Sequence, residues 1–183
     1  QTLDDITGHI ELFAHGGTAN ISGTLDASAP ISGNGGFIET SGSHVQIAET
    51  TRIATNAPRG TGGSWLIDPT DFSVGGTGSD ISGATLGANL NTSSVTILSS
   101  SGGTGTSGNI NINDAVSWSS ANKLTLSAAN NINGTANISK NVYRLPQMLT
   151  ANLCIPKAVA VTMATATDIS RTNSAIANQS GID

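Results

Sequence analysis

The chain has 183 residues, enough for one ordinary domain or for a slice of a longer repetitive protein. Charged residues make up 10% of it and aromatic residues 3%, whereas about 25% of a typical soluble domain is charged. The large-ring core of a globular enzyme is therefore missing. The seven Lys and Arg residues are scattered and the net charge is −5, which argues against a nucleic-acid partner.

Three further features are missing from the sequence. Cys154 is the only cysteine, so no internal disulfide framework can hold the fold. No apolar run reaches the roughly 18 residues of a transmembrane segment. Residues 1–5 lack the basic and apolar regions of a signal peptide, so we expect the export signal of a secreted protein to lie outside this chain.

Glycine content and charge divide the chain into two regions. Residues 1–139 contain 21 of the 22 glycines and ten acidic residues against three basic ones. Residues 140–183 contain one glycine and two acidic residues against four basic ones. Such a shift in composition predicts a boundary. We expect residues 140–183 to be an atypical tail, either a cap, a poorly ordered end or the product of a shifted reading frame.

In chain order, the first region consists of short segments with period-two alternation, separated by glycine-rich turns. The predicted strands cover residues 10–14, 19–27, 36–40, 44–48, 51–55, 94–98, 109–113, 123–127 and 136–139. Alternation turns small and β-branched side chains inward and Ser, Thr, Asn and Gln outward. No segment shows a helical period over ten or more residues. The sequence therefore predicts an all-β fold.

Strands this short must pair or stack, which allows a sandwich, a barrel or a solenoid. The inward side chains are slim, as a narrow stacked core requires, and Thr18-Ala-Asn-Ile-Ser returns as Thr135-Ala-Asn-Ile-Ser. Self-similarity of this kind is typical of repeat architectures. The turns vary in length and show no fixed period. These patterns favour a β-solenoid over a sandwich.

One segment is more specific than the rest. It begins with Gly35-Gly-Phe-Ile-Glu-Thr-Ser-Gly and continues to Trp65-Leu-Ile-Asp-Pro-Thr-Asp-Phe-Ser-Val74. It resembles the filamentous-haemagglutinin family of two-partner (type V) secretion adhesins, particularly the large high-molecular-weight adhesins. Residues 80–97 and 108–126 look like the usual continuation, so the resemblance covers roughly residues 8–139.

The resemblance implies a right-handed parallel β-helix that is exported through an outer-membrane two-partner transporter. Such a protein is displayed on the bacterial cell surface or secreted, and attaches to host cells or matrix through host glycans or surface proteins. This chain looks like the rod that follows the N-terminal secretion domain. Two alternatives stay open: a purely structural stalk without its own ligand, and a polysaccharide-processing β-helix enzyme.

The block from Trp65 to Phe72 is the first candidate site. An exposed Trp65 beside Asp68 and Asp71 could bind a sugar by stacking and hydrogen bonding. In the structural interpretation, Trp65 and Phe72 instead fill the core where the coil changes direction, and Asp68-Pro69 sets the turn.

Paired carboxylates raise the question of a glycosidase, which needs two carboxyl groups facing one cleft. The close acidic pairs are Asp4 with Asp5 and Asp68 with Asp71, and no helper His, Arg or Lys accompanies them. Gly-x-Ser-x-Gly does not occur, so a serine nucleophile is unsupported. We expect no catalytic residues and hence no enzyme.

The three histidines, His9, His15 and His44, are the natural candidates for metal ligands. Their spacing fits no metal-binding motif, and calcium-binding glycine-aspartate repeats are absent. We expect surface histidines, no metal site and no cofactor.

Four asparagines stand in the Asn-x-Ser/Thr pattern of N-glycosylation: Asn20, Asn91, Asn133 and Asn137. Some adhesins that the chain resembles carry sugars at such positions. In a chain so rich in Asn and Ser, chance matches are also expected, so these asparagines are possible rather than assigned modification sites.

Overall fold

A computed structural model describes residues 8–100, 108–140, 153–155 and 160–163. The chain winds through successive coils whose strands stack in parallel, side by side with the equivalent strands of the coils before and after. This arrangement confirms the predicted β-solenoid. No helix among the described residues is long and apolar enough to cross a membrane.

The main sheet receives one strand from every coil. In spatial order its parallel strands are β1 (His9–Ile21), β3 (Phe37–Ile47), β5 (Ser64–Asp68), β7 (Ser94–Ser99) and β10 (Leu124–Ala128). The alternating sequence favours this stacking of parallel strands, because each strand has one face to bury and one face for solvent. The Trp65–Phe72 block, in which a turn is predicted at Asp68-Pro69, is strand at both ends: β5 ends at Asp68 and the next strand begins at Phe72.

The other sides of the solenoid are formed by shorter strands. A second parallel stack contains β6 (Phe72–Val74), β8 (Ile110–Ile112) and β11 (Ile132–Gly134). Two parallel pairs complete the walls, β2 (Thr24–Asp26) with β4 (Arg52–Ala54) and β9 (Val116–Trp118) with β12 (Ile138–Lys140). Strands β9 and β11 have no counterpart among the strands predicted from alternation.

A nearly constant coil length is visible in the main sheet, although the sequence shows no fixed period. Residues paired across neighbouring coils are 28 positions apart for His9 and Phe37, and 27 apart for Phe37 and Ser64. They are 30 apart from Ser64 to Ser94 and 29 apart from Val95 to Leu124. On the second side the spacing changes from 38 (Phe72 to Ile110) to 22 (Ile110 to Ile132). Insertions on that side hide the period.

The core is a column of side chains stacked coil upon coil. One inward column of the main sheet contains Ile38, Trp65, Val95 and Leu124, which are all buried. The next contains Thr40, Ile67, Ile97 and Leu126, again buried. Burying a side chain such as Leu or Ile stabilises the fold by about 1.5–3 kcal/mol, so the columns provide the main driving force for stacking.

One helix interrupts the strand pattern. Helix α1 (Gly83–Leu90) contacts β4 on one side and β9 on the other, so it fills the place of a strand in that wall. The Ser82 side chain accepts a hydrogen bond from the Thr85 N–H and caps the helix. With eight residues, the helix is too short to show a helical period over ten residues.

The described part of the tail consists of two short strands on the last coil. Strand β13 (Leu153–Ile155) pairs antiparallel with β11, and β14 (Ala160–Met163) pairs antiparallel with β10. The last parallel strand, β12, ends at Lys140, next to the boundary predicted from composition. The expectations for the rest of residues 140–183 lie outside the described residues.

Candidate functional site

The aromatic residues of the Trp65–Phe72 block lie in the core. Trp65 is 0% exposed and Phe72 is 1% exposed. The Trp65 Nε1–H donates to the Thr40 hydroxyl at 3.0 Å, and that hydroxyl donates to the Leu66 carbonyl at 3.3 Å. The indole is therefore held by packing and by a buried hydrogen bond, and no face of it is open for stacking on a sugar.

The polar residues of the same block form the corner between β5 and β6. Pro69 is buried, and its carbonyl accepts the Ser100 N–H at 3.1 Å. The Asp71 carboxylate accepts the Asn109 N–H at 2.6 Å, which ties this corner to the next coil. Asp68 is half-buried, and its side chain accepts no hydrogen bond from the residues that the structure describes.

Asp68 is also electrostatically unfavourable where it stands. Partial burial, followed by repulsion from the Glu39 carboxylate, raises the pKa of Asp68. Every fully buried polar side-chain atom in the described ranges has a hydrogen-bond partner. Asp68 is half-buried and accepts no hydrogen bond from the described residues, and groups with a perturbed pKa concentrate at functional sites.

Asp68 borders a groove of about 340 Å³ on the lateral face of the solenoid. The groove crosses four successive coils, and we call it the lateral groove. The side chains that matter for its chemistry are Phe13, His15, Ser43, Asp68, Thr70 and Ser100. At the usual strand spacing of about 4.8 Å, four coils span about 14 Å, and the volume lies at the lower end of the roughly 300–1,000 Å³ typical of ligand pockets.

Register and a bulge bring these residues together. Phe13, Ser41 and Asp68 are direct neighbours across β1, β3 and β5, so they form one outward column. The pairing between β1 and β3 then shifts between Ala14 and Thr18, and Gly16 occupies the left-handed region at φ 67°. Strand bulges of this kind redirect side chains next to functional sites.

Phe13 and His15 were not predicted as site residues. A signal existed for Phe13, because the inward alternation of Ile10, Leu12 and Ala14 leaves it on the solvent face. Phe13 is 59% exposed, and its ring centroid lies 4.3 Å from that of His15. The groove could not be predicted from one strand, because it depends on which coil lies beside which.

The histidines do not converge. His9 contacts Glu11 at 3.1 Å and the edge of Phe37, whereas His15 lies against Phe13 and His44 is exposed. Within the described ranges, no group of three or more His, Cys, Asp or Glu residues is arranged to hold a metal ion. Asp4 and Asp5 lie outside the described residues.

The four sequon asparagines are in different environments. Asn91 donates to the Gly87 carbonyl at 3.2 Å at the end of α1, and Asn133 donates to the Asn111 side chain at 2.9 Å. Glycosylation at either amide nitrogen would disturb these contacts. Asn20 is exposed on β1 and Asn137 is half-buried before β12. Asn20 therefore offers the most accessible amide of the four.

The fold defines the class of this protein as a parallel β-solenoid. No family model, no curated protein and no solved structure matches the chain.

Proposed function

We propose that the chain is a segment of a large bacterial adhesin that is secreted or displayed on the cell surface. In this proposal the stacked coils form a rod, and a lateral face of the rod attaches to host cells or matrix. An outer-membrane two-partner transporter would export the polypeptide. The family resemblance of residues 35–74 supports the assignment.

The lateral groove is the observation that carries the proposal. A purely structural stalk needs only buried columns and a uniformly polar surface. This chain instead places an exposed aromatic ring in one concave site across four coils, together with a carboxylate that accepts no hydrogen bond from the described residues. Exposed aromatic residues are enriched where proteins bind partners, so the groove supports binding by the rod itself.

The test is attachment of the whole 183-residue chain to cultured epithelial cells and to immobilised fibronectin, collagen and laminin. Fluorescently labelled chain should bind at least one of these surfaces saturably, and excess unlabelled chain should displace it. The urea-unfolded chain provides the control for non-specific adsorption. Binding no greater than that of the control on every surface would refute the proposal and leave the structural stalk.

A further inference from the structure

The lateral groove combines an exposed aromatic ring with hydrogen-bonding groups. Four large apolar side chains are exposed in the described part of the chain, Leu12, Phe13, Ile31 and Leu98, and Phe13 is the aromatic one. It stands at the end of a groove otherwise lined mainly by hydroxyl, carboxylate and backbone groups. A flat apolar ring beside hydrogen-bonding groups fits a ligand that also has an apolar face and a polar rim.

The polar groups of the groove have hydrogen-bonding capacity to offer. In the described residues, the hydroxyls of Ser43, Thr70 and Ser100 make no side-chain hydrogen bond. The Asp68 carboxylate accepts none there either, although it has roughly four acceptor positions. A ligand rich in hydroxyl groups could donate to Asp68 and exchange hydrogen bonds with the three hydroxyls.

Charge restricts the ligand further. Among the described residues that line the groove there is no Lys or Arg, and Glu39 lies close enough to raise the pKa of Asp68. The other titratable group among these described lining residues is His15, on β1. A sulfated or carboxylated ligand would meet the Asp68 carboxylate, with Glu39 nearby and no fixed positive charge among the described lining residues, so the site disfavours anions.

The charged form of Asp68 is unfavourable in the folded protein. Burial and Glu39 both act against its charged form, so the ionised side chain destabilises the fold. Functional sites often contain groups that reduce stability. A ligand hydroxyl that donates a hydrogen bond to Asp68 would stabilise the ionised carboxylate in the complex.

We propose that the lateral groove binds a neutral oligosaccharide. Phe13 stacks against the face of one sugar ring, and Asp68 accepts hydrogen bonds from the sugar hydroxyls nearby. The length of the groove across four coils selects a short chain of sugars over a single one. This inference rests on the proposed adhesin function, for which it names the ligand class and the site.

The experiment uses an array of neutral oligosaccharides together with sialylated and sulfated ones, probed with the whole chain. We expect binding to at least one neutral oligosaccharide and none that requires the acidic groups. The neutral oligosaccharide that binds best is then titrated by calorimetry. Absence of neutral binders, or binding of anionic oligosaccharides alone, would overturn the inference.

Two variants locate the site, and one provides a matched control. Phe13→Ala and Asp68→Asn should each weaken binding by about tenfold or more, the change produced by losing one good contact. Ile31→Ala removes a side chain that is even more exposed, at 76%, but lies outside the groove, and should leave binding unchanged. Circular dichroism verifies that all three fold. Unchanged affinity in both groove variants would refute the assignment.

Cell attachment separates this inference from the proposed function. Periodate treatment strong enough to cleave the vicinal ring diols of neutral surface sugars should abolish attachment of the wild-type chain to the cells. Attachment that survives periodate and the Phe13→Ala change would overturn the glycan inference while the adhesin function stands. A wild-type chain that binds the array but no cell or matrix surface would refute the adhesin function and retain the sugar site.

Discussion

The main sheet and the wall that contains α1 hold the same coils together in different ways. In the main sheet, five parallel strands pair directly, and backbone hydrogen bonds connect each coil to the next. In the other wall, α1 separates β4 from β9, so side chains must replace the missing strand. The Asn89 amide oxygen accepts the Ile53 N–H at 2.8 Å, and the Thr92 hydroxyl donates to the Ile53 carbonyl at 2.6 Å.

This difference between the two walls indicates where the solenoid tolerates substitutions. A strand in the main sheet is supported by its backbone whatever its outward side chains are, so that face is free to carry a groove. The α1 wall depends on particular residues, because a helix cannot continue a strand ladder. Substitutions should therefore affect the two walls by different mechanisms.

The largest loss of stability is expected from a substitution in the core column of the main sheet. Trp65→Ala removes a fully buried indole and should destabilise the protein by about 3–5 kcal/mol, because the column cannot collapse around the cavity. Urea unfolding followed by circular dichroism measures this. Trp65→Phe keeps most of the ring and should be much milder. A loss below about 1 kcal/mol for Trp65→Ala would show that the column is not packed as described.

In the α1 wall, the next largest loss of stability should come from substitution of Asn89. Its side chain satisfies the Ile53 N–H and donates to the carbonyls of Thr51 and Thr85. Asn89→Ala leaves a buried donor unpaired and should destabilise the fold by about 1–3 kcal/mol. Asn56→Ala, at an exposed position, is the control and should change the free energy of unfolding little. Equal effects of the two changes would contradict the bridging role of Asn89.

A smaller loss is expected at the contact between α1 and β9. A Cβ atom at Gly87 would overlap the carbonyl oxygen of Ser117, and one at Gly83 would overlap that of Ala115. Gly87→Ala should push α1 away from β9 and destabilise the fold by about 1–3 kcal/mol. The higher helix propensity of Ala should offset about 1 kcal/mol of this loss. Gly62→Ala, at an open position, is the control. Hydrogen exchange at β9 should accelerate in the Gly87 variant alone; stabilisation would contradict the close packing.

The smallest predicted effect is a gain in stability, from a substitution of Asp68 on the groove side of the main sheet. Partial burial and Glu39 raise the pKa of Asp68, so the folded protein holds that proton more tightly than the unfolded chain does. The resulting stability is present below the ordinary aspartate pKa and is lost as pH rises through the raised folded-state value. Asp68→Asn should therefore stabilise the protein at pH 7, by less than about 1 kcal/mol because the group is partly exposed.

Urea unfolding of this variant and the wild type between pH 3 and 7 tests the sign. The advantage of Asp68→Asn should shrink as the wild-type carboxyl is protonated. Ser43→Ala, in the same groove but without a titratable group, should show no such dependence. A variant that is less stable than the wild type at pH 7 would contradict the electrostatic account of Asp68.

Alternation in the sequence was sufficient to predict the fold class, because inward residues such as Ile38, Ile97 and Leu124 follow a period of two. It was not sufficient to predict register. Phe13, Ser41 and Asp68 meet only because the loops between them have particular lengths, which alternation does not encode. The helix was missed because Gly83 and Gly87 have low helix propensity, although they are what lets α1 approach β9.

A crystal structure of the chain with the neutral oligosaccharide that binds it best would test both the solenoid and its sugar site. We expect parallel coils about 4.8 Å apart and sugar density along the lateral groove, with one ring against Phe13 and a hydroxyl on Asp68. Coils that do not stack in parallel, or sugar bound at another face, would contradict this expectation.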